Sequence, residues 1–439
     1  MGSPERWPCA HRCVGAACVA RADQIARSNR EQRAGVPARP PPLFLRLPQA
    51  RLAAIWPYVD RAAGLNSGRI LVLVSEDIEH DRRVLASLAH YPAVEIINLA
   101  SADPAAFPPF SLLACLRAVL MVLKAIQRGH GLWSLLREQY GLSPDHLFAG
   151  CSVSLRSFVR ALRVASGLRQ RLNGVQLIHA HDLFCGVVGL ELARSSRAAL
   201  IYDAHEIEFH RNRRNSWLRT AFDVVVENAV LSRASELRVV NVPIADLYEQ
   251  VHGMSPERVR VLPNDHFASR LRPADAAVPS AEELALVYVG GGVRGRQLDH
   301  LAAETKRLGV PVYAFFIGEV PDVAIAAGWV LGPRDYESAL VSLVASRRCV
   351  MWCCVDDVCL SYRLSLPNKF FQALAVGIPV VAADRTYLAD LVGTHGLGFI
   401  FDGHNFESIV RGIQGRSFAD ALASVRRFRL AVTTGLLRI

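Results

Sequence analysis

The sequence has no apolar stretch both long and uncharged enough to span a bilayer. Its nearest approach, Phe110 to Ile126, is broken by Arg117 and Lys124, whereas a spanning helix takes about 20 residues with few charges. Residues 1–30 show no uninterrupted apolar core followed by small residues, so no secretory signal is expected there. Cysteine is sparse, with 10 in 439 residues, mostly in apolar runs such as Cys349 to Cys354. Buried reduced thiols fit that usage better than a disulfide framework. Cys9, His11, Cys13 and Cys18 lack the second CxxC-type half that a zinc site needs. No Asp-x-Asp pair stands at the end of a strand-like run, and Asp356-Asp357 is a poor substitute, so no metal is expected on such a pair. Aromatic residues are not interleaved with the basic ones as a single-strand binder requires, which argues against a nucleic-acid partner.

What is present is apolar mass: 51% of the residues are hydrophobic, enough in a chain of this length for two cores and therefore two domains. The net charge of +10 is uneven. Residues 1–66 carry ten Arg against four acids, and Phe110 to Gly174 carry nine Lys or Arg against two, so the remainder is slightly acidic. With Pro40-Pro41-Pro42 inside it, segment 1–66 reads as a poorly structured leader.

Short β-branched and leucine runs at Arg69 to Val74, Val94 to Leu99, Val175 to Ala180, Ala199 to Tyr202 and Leu237 to Val242 alternate with segments of helical spacing. A second set follows at Leu284 to Val289, Pro311 to Ile317, Cys349 to Trp352, Ile378 to Ala382 and Gly398 to Phe401. Such alternation predicts an α/β fold of two doubly wound parallel-sheet, Rossmann-like domains facing across a cleft. Residues 67–264 form the first domain, with a basic insertion at 100–174, residues 265–283 the linker, and residues 284–439 the second domain. Ligands of open α/β sheets bind at the carboxyl ends of the strands, so the polar motifs there are the candidates for chemistry.

The most informative of these is LPNKFFQALAVGIPVV, Leu366 to Val381. Pro367 is expected as the first helical residue, which leaves the unpaired amides near Asn368 and Lys369, backed by the helix dipole, facing outward. Gly377 ends that helix and a buried strand begins. Taken alone, the segment reads equally well as an ordinary helix-to-strand joint with an exposed lysine. A glycine triplet, Gly290, Gly291 and Gly292, follows another strand and precedes Arg294 and Arg296; a plain turn is the bland alternative. HAHD is expected to send His179 and His181 to opposite faces of a strand end, so that only one enters the cleft. Asp203, His205 and Glu206 stand beyond the next strand, and Asp81 and Arg82 open the first helix, where capping and surface charge are the simpler roles.

The sixteen residues from Leu366 resemble the C-terminal signature of GT-B glycosyltransferases of the family 4 type, S-x-PNK-x-FE-x-x-x-x-G-x-PVV. Further matches occur in that family's order: RILVLVSEDIEHDRRV from Arg69, VQLIHAHD ending at Asp182, LIYDAHEIE ending at Glu208, VRVLPND ending at Asp265, and LVYVGGGVRGRQLDHL from Leu286. The resemblance covers roughly Arg69 to Phe401. It implies a metal-independent hexosyl transfer, with retention, from a nucleoside diphosphate sugar, UDP- or GDP-linked, and no other cofactor. By resemblance Arg296 and Lys369 contact the departing diphosphate. His181 lies at the reaction centre, with Asp182 capping the next helix. Gly290, Gly291, Gly292, Arg294, Pro367, Asn368 and Gln372 line the donor site, and Asp81, Arg82, Asp203, His205 and Glu206 face the acceptor. One departure stands out: where many relatives carry a glutamate at each end of an E-x7-E spacing, this chain has Leu364 and Gln372. Gln372 still offers hydrogen bonds to a ribose. Leu364 offers none, which leaves Ser361, Tyr362 or the amides after Pro367 for the sugar.

Arg117, Lys124 and Arg128 recur at seven and four residues and read as one basic stripe on an amphipathic helix, a pattern repeated by Arg156, Arg160 and Arg163. Segments 110–128 and 154–171 are therefore expected to lie on an anionic membrane surface. That places the protein at the cytoplasmic membrane face, acting on a lipid-linked or polysaccharide acceptor. Two alternatives stay open: a GT-B-fold epimerase acting on the nucleotide sugar itself, and a basic membrane-associated binding protein with a decayed site. Transfer needs an acceptor, epimerisation frees no diphosphate, and a decayed site does neither.

Overall fold

The computed structural model describes residues 69–75, 94–99, 112–213, 215–264, 283–333 and 336–433. Segment 1–66, Asp81, Arg82 and residues 265–282 of the expected linker lie outside the described residues.

Runs such as Ile70 to Val74 are buried without interruption, the pattern of a parallel strand covered on both faces. The described residues form two six-stranded sheets, parallel at every pairing. The first comprises β1 (Arg69–Val74), β2 (Val94–Asn98), β3 (Val175–His181), β4 (Ala199–Ala204), β5 (Glu236–Val239) and β6 (Val259–Val261), in the order β2-β1-β3-β4-β5-β6. The second comprises β7 (Leu284–Gly290), β8 (Val312–Phe316), β9 (Val330–Leu331), β10 (Arg348–Trp352), β11 (Val380–Ala383) and β12 (Gly398–Phe401), in the order β12-β11-β10-β7-β8-β9. β5 stops three residues earlier than its apolar run suggests. Asn241 accepts a hydrogen bond from the Ile244 amide at 3.0 Å and caps a helix whose first turn holds Pro243, so backbone capping outweighs strand propensity there.

The insertion forms helices Leu112–Tyr140 and Cys151–Leu168. The first buries small residues in its N-terminal part, Ala114, Ala118, Ala125 and Gly129, and large ones, Leu132, Trp133 and Leu136, further on; a methyl group added at Gly129 would lie 2.4 Å from the Trp217 ring. The outer face of the N-terminal part carries large residues: Leu112, Leu113, Leu116, Val119, Leu120, Leu123 and Ile126 are all exposed. This corrects the expected basic stripe. Arg117 turns to Glu191 at 2.7 Å, where Arg194 also binds at 2.7 Å, because a nearly buried carboxylate recruits cations more strongly than water does. Lys124 and Arg128 remain exposed beside the apolar face. Among the described residues no helix is long and apolar enough to cross a membrane.

Both sheets belong to one compact unit, and the short helix Leu360–Leu364 joins the second sheet's strand ends to the first domain. Leu360 donates its amide to His210 Nδ1 at 3.1 Å, Asn212 donates to the Tyr362 hydroxyl at 2.8 Å, and Arg363 donates to the Tyr140 carbonyl at 2.6 Å. Asn241 Nδ2 donates to the Leu364 carbonyl at 2.8 Å, and the Leu364 side chain enters the first domain's core.

Candidate active site

The helix Asn368–Val376 begins one residue later than expected. Pro367 is the residue before it, in an extended conformation, and Asn368 is its first helical residue. The Phe370 amide donates to the Pro367 carbonyl at 2.9 Å, while the amides of Asn368 and Lys369 precede the first acceptor the helix itself supplies. Gly377, at φ 78°, ends it, and its amide donates to Ala373 at 2.8 Å.

Lys369 points back into the fold and is 4% exposed. Its Nζ lies 4.2 Å from the centre of the Tyr288 ring and has no hydrogen-bond partner among the described residues. Burial, aided by the nearby Arg296 charge, pushes its pKa down to about 7; the groups acting in the other direction are the thiols of Cys353 and Cys354, with no carboxylate among them. Burial holds the Cys353 thiol up at about 12, so it stays neutral. Arg296 is partly exposed and stacks over the Tyr362 ring, 4.7 Å from its centre. The two cations therefore lie close enough to repel, each over a tyrosine ring, and among the described residues no carboxylate acts on the lysine. Ordinarily a buried cation is paired or neutralised.

Gly290 ends β7 and Gly291 follows it, and the Tyr288 hydroxyl donates to the Gly291 carbonyl at 2.6 Å. Gly292 lies against Pro321. Gly295, which the sequence reading passed over, has φ 86° and approaches Tyr362 so closely that an added methyl group would lie 2.9 Å from the ring. Only glycine meets both demands. Arg294 is exposed, and its carbonyl accepts from Asn212 at 2.8 Å. Asn368 is exposed and its Oδ1 accepts from Asn264 at 2.9 Å. Gln372 is buried and its amide donates to the Tyr336 hydroxyl, while its Oε1 has no hydrogen-bond partner among the described residues. Ser361 and Tyr362, the expected sugar contacts, are instead engaged across the domains: Ser361 Oγ lies 3.4 Å from Glu206 Oε2.

In the first domain, His179 and His181 do not face opposite sides of the sheet. Residues two apart on a strand share a face, and their ring centres are 4.3 Å apart. Parallel register sets Asp203 of β4 beside His181. His205 Nε2 lies 3.0 Å from His181 Nδ1. Burial, with Arg238 adding to it, pushes the His179 pKa down to about 4. Asp182 does not cap the helix it begins. It takes the left-handed conformation, φ 62°, and the Leu183 amide lies 3.4 Å from Glu208 Oε1 instead. A residue held in that region marks stored strain of about 1–3 kcal/mol of the kind that collects at functional sites. Burial raises the Asp182 carboxyl to about 7, against the pull of His205. A cavity of about 210 Å³ opens here, lined by Ser75, Asp182, Glu208, Arg211, Arg213 and Asp223 among others. Glu206 pairs with Arg211 at 3.0 Å.

Residues 125–265 match the sequence model described as Glycosyl transferase 4-like domain. Over those residues, about a third of its length, the chain is similar to that domain, and its two six-stranded parallel sheets are of the GT-B type of fold. Sucrose-phosphate synthase from Thermosynechococcus elongatus shares the fold with a TM-score of 0.54 at 17% identity, over 84% of this chain and 94% of that one. Anabaena Alr3699/HepE in complex with UDP aligns with a TM-score of 0.47 at 13% identity, over 84% of this chain and 100% of that one. No curated protein sequence matches the chain.

Proposed function

We propose that this chain moves a hexose, with retention, from a UDP- or GDP-linked donor to a lipid-linked or polysaccharide acceptor at the cytoplasmic face of a membrane. The observation that carries the donor half is Lys369, a buried amine with no carboxylate partner beside Arg296. Such a pair is poorly stabilised by its own protein and well stabilised by an incoming dianion. Sugar transfer builds negative charge on the leaving diphosphate, and fixed cations there act more strongly in the transition state than in the ground state. Arg296 offers a planar fork for two phosphate oxygens, Lys369 a point charge, and the first-turn amides of the helix Asn368–Val376 the dipole's positive end. These groups do the work a metal ion does elsewhere. The helix dipole and the two cations point to the same chemistry from independent parts of the sequence, 296 and 369.

On the acceptor side, His181 and Asp182 stand at the end of β3 with His205 and Glu206 beside them, beside the cavity that reaches Asp182. A carboxyl held near neutrality there suits exchange of a proton with a hydroxyl. The membrane reading is supported by residues 112–126 of helix Leu112–Tyr140, where seven large apolar residues face outward while alanines pack inward, with Lys124 and Arg128 at the margin. Free nucleoside diphosphate is measured with and without lipid-linked acceptor. Release that depends on acceptor supports transfer; a sugar interconverted with no diphosphate freed, or no reaction with any donor, contradicts it.

A further inference from the structure

The carboxyl ends of β3 and β4 hold a group of donor atoms that diphosphate binding does not use. His179 Nε2 lies 3.6 Å from Asp203 Oδ2, and His181 Nδ1 lies 3.7 Å from the same oxygen. One donor atom from each of the three residues falls within a span of 4.8 Å, and all three side chains are buried. His205 extends the set, with Nε2 3.0 Å from His181 Nδ1 and 3.9 Å from Asp203 Oδ1.

These separations have a physical meaning. Hydrogen bonds of this kind close to about 2.7–3.2 Å, and both histidine–aspartate contacts are longer. Two ligands on one tetrahedral zinc ion, each at about 2.1 Å, stand roughly 3.4 Å apart, and the four distances bracket that value. His179 adds a second, independent observation. It is 0% exposed, yet among the described residues neither ring nitrogen has a hydrogen-bond partner of normal length, Nε2 standing 3.6 Å from Asp203. Burying a polar group in that state costs about 1–3 kcal/mol, and an ion between Nε2 and Asp203 removes the cost at that nitrogen.

We propose that His179 Nε2, His181 Nδ1 and Asp203 bind a divalent transition metal ion of the zinc type, with His205 Nε2 closing the fourth position. Imidazoles with a single carboxylate select zinc, cobalt or nickel over magnesium or calcium, which take oxygen ligands. The ion's consequence for His181 is tautomeric: with Nδ1 on the metal, the proton resides on Nε2. The inference goes beyond the transferase reading, because metal uptake is measured without any turnover.

The test uses the full chain, stripped with a chelator, dialysed, and titrated with Zn²⁺ or Co²⁺ while elemental content, the visible spectrum of Co²⁺ and the melting temperature are followed. Wild-type protein should take up one tightly held ion, which raises its melting temperature, with a tetrahedral cobalt spectrum free of thiolate bands. His179→Ala and Asp203→Asn should lose it, His205→Ala should weaken it by about 10–100-fold, and His300→Ala, which lies in the other domain, should not change it. Wild-type protein that takes up no ion overturns the proposal, whatever the variants do. So does uptake undiminished in His179→Ala, the result that binding at the thiols of Cys9, Cys13 and Cys18 would give.

Discussion

The ammonium of Lys369 rests over the face of Tyr288, 4.2 Å from the ring centre, with the ring standing where a carboxylate would ordinarily be. An aromatic face attracts a cation without neutralising it, so the pocket keeps its appetite for an anion. A proton-coupled binding event follows. Burial and Arg296 hold the amine at about 7 in the free protein, and a bound diphosphate opposes both influences and raises it. At pH 8 the free amine is mostly neutral, so nucleoside diphosphate binding should take up a proton. At pH 6 the amine is already charged and uptake should vanish. Affinity should fall as pH rises through 7. Calorimetry in buffers of different ionisation enthalpy measures the uptake, and Lys369→Met should abolish it.

Arg296 should tolerate no replacement by lysine. Its guanidinium stacks on Tyr362 and presents a fork that an ammonium lacks. Arg296→Ala and Arg296→Lys are both expected to lower turnover by about 10²-fold or more. Steady-state rates that separate the two variants, with lysine near wild type, would contradict the bidentate role.

Restoring the familiar glutamate at position 364 should harm the protein. The Leu364 side chain packs in the first domain's core while its carbonyl accepts from Asn241. A carboxylate placed there is buried without a partner, at an expected cost of about 3 kcal/mol or more. Leu364→Glu should therefore melt lower and bind donor no better. An unchanged melting temperature with tighter donor binding would show that this position faces the sugar after all.

The outward leucines of helix Leu112–Tyr140 should be dispensable for folding and necessary for membrane attachment. Leu116→Ser, Leu120→Ser and Leu123→Ser together remove exposed apolar surface and no core contact. Sedimentation with anionic vesicles should be lost while the melting temperature holds. Undiminished sedimentation of the triple variant would remove the helix from the account.

Much of the fold was legible because it is written locally. Uninterrupted apolar runs announced the buried strands, and Gly377 announced the end of its helix. What the sequence hid is what distant segments impose on one another. Arg117 pairs with Glu191, a residue that no periodicity connects to it. Asp203 meets His181 only through the register of two parallel strands, and His179 joins them because alternate strand residues share a face, a rule the motif reading applied the wrong way round. Leu364 and Gln372 were recognised as departures from the resembled pattern. That the first had become part of a domain contact, and the second a partner of Tyr336, lay in packing alone. Gly295 carried a signal, a third glycine position close behind the triplet, but its purpose depends on Tyr362 lying against it.

The central claim is that Arg296 and Lys369 together grip the diphosphate of the donor. Equilibrium binding of UDP and GDP at pH 7 to wild type, Arg296→Ala, Lys369→Ala and the double variant tests it most directly. The account predicts that each single variant loses about tenfold or more in affinity for the nucleotide that wild type prefers, and that the two losses are not additive, as for neighbours sharing one ligand. Affinities equal to wild type in both single variants would contradict it.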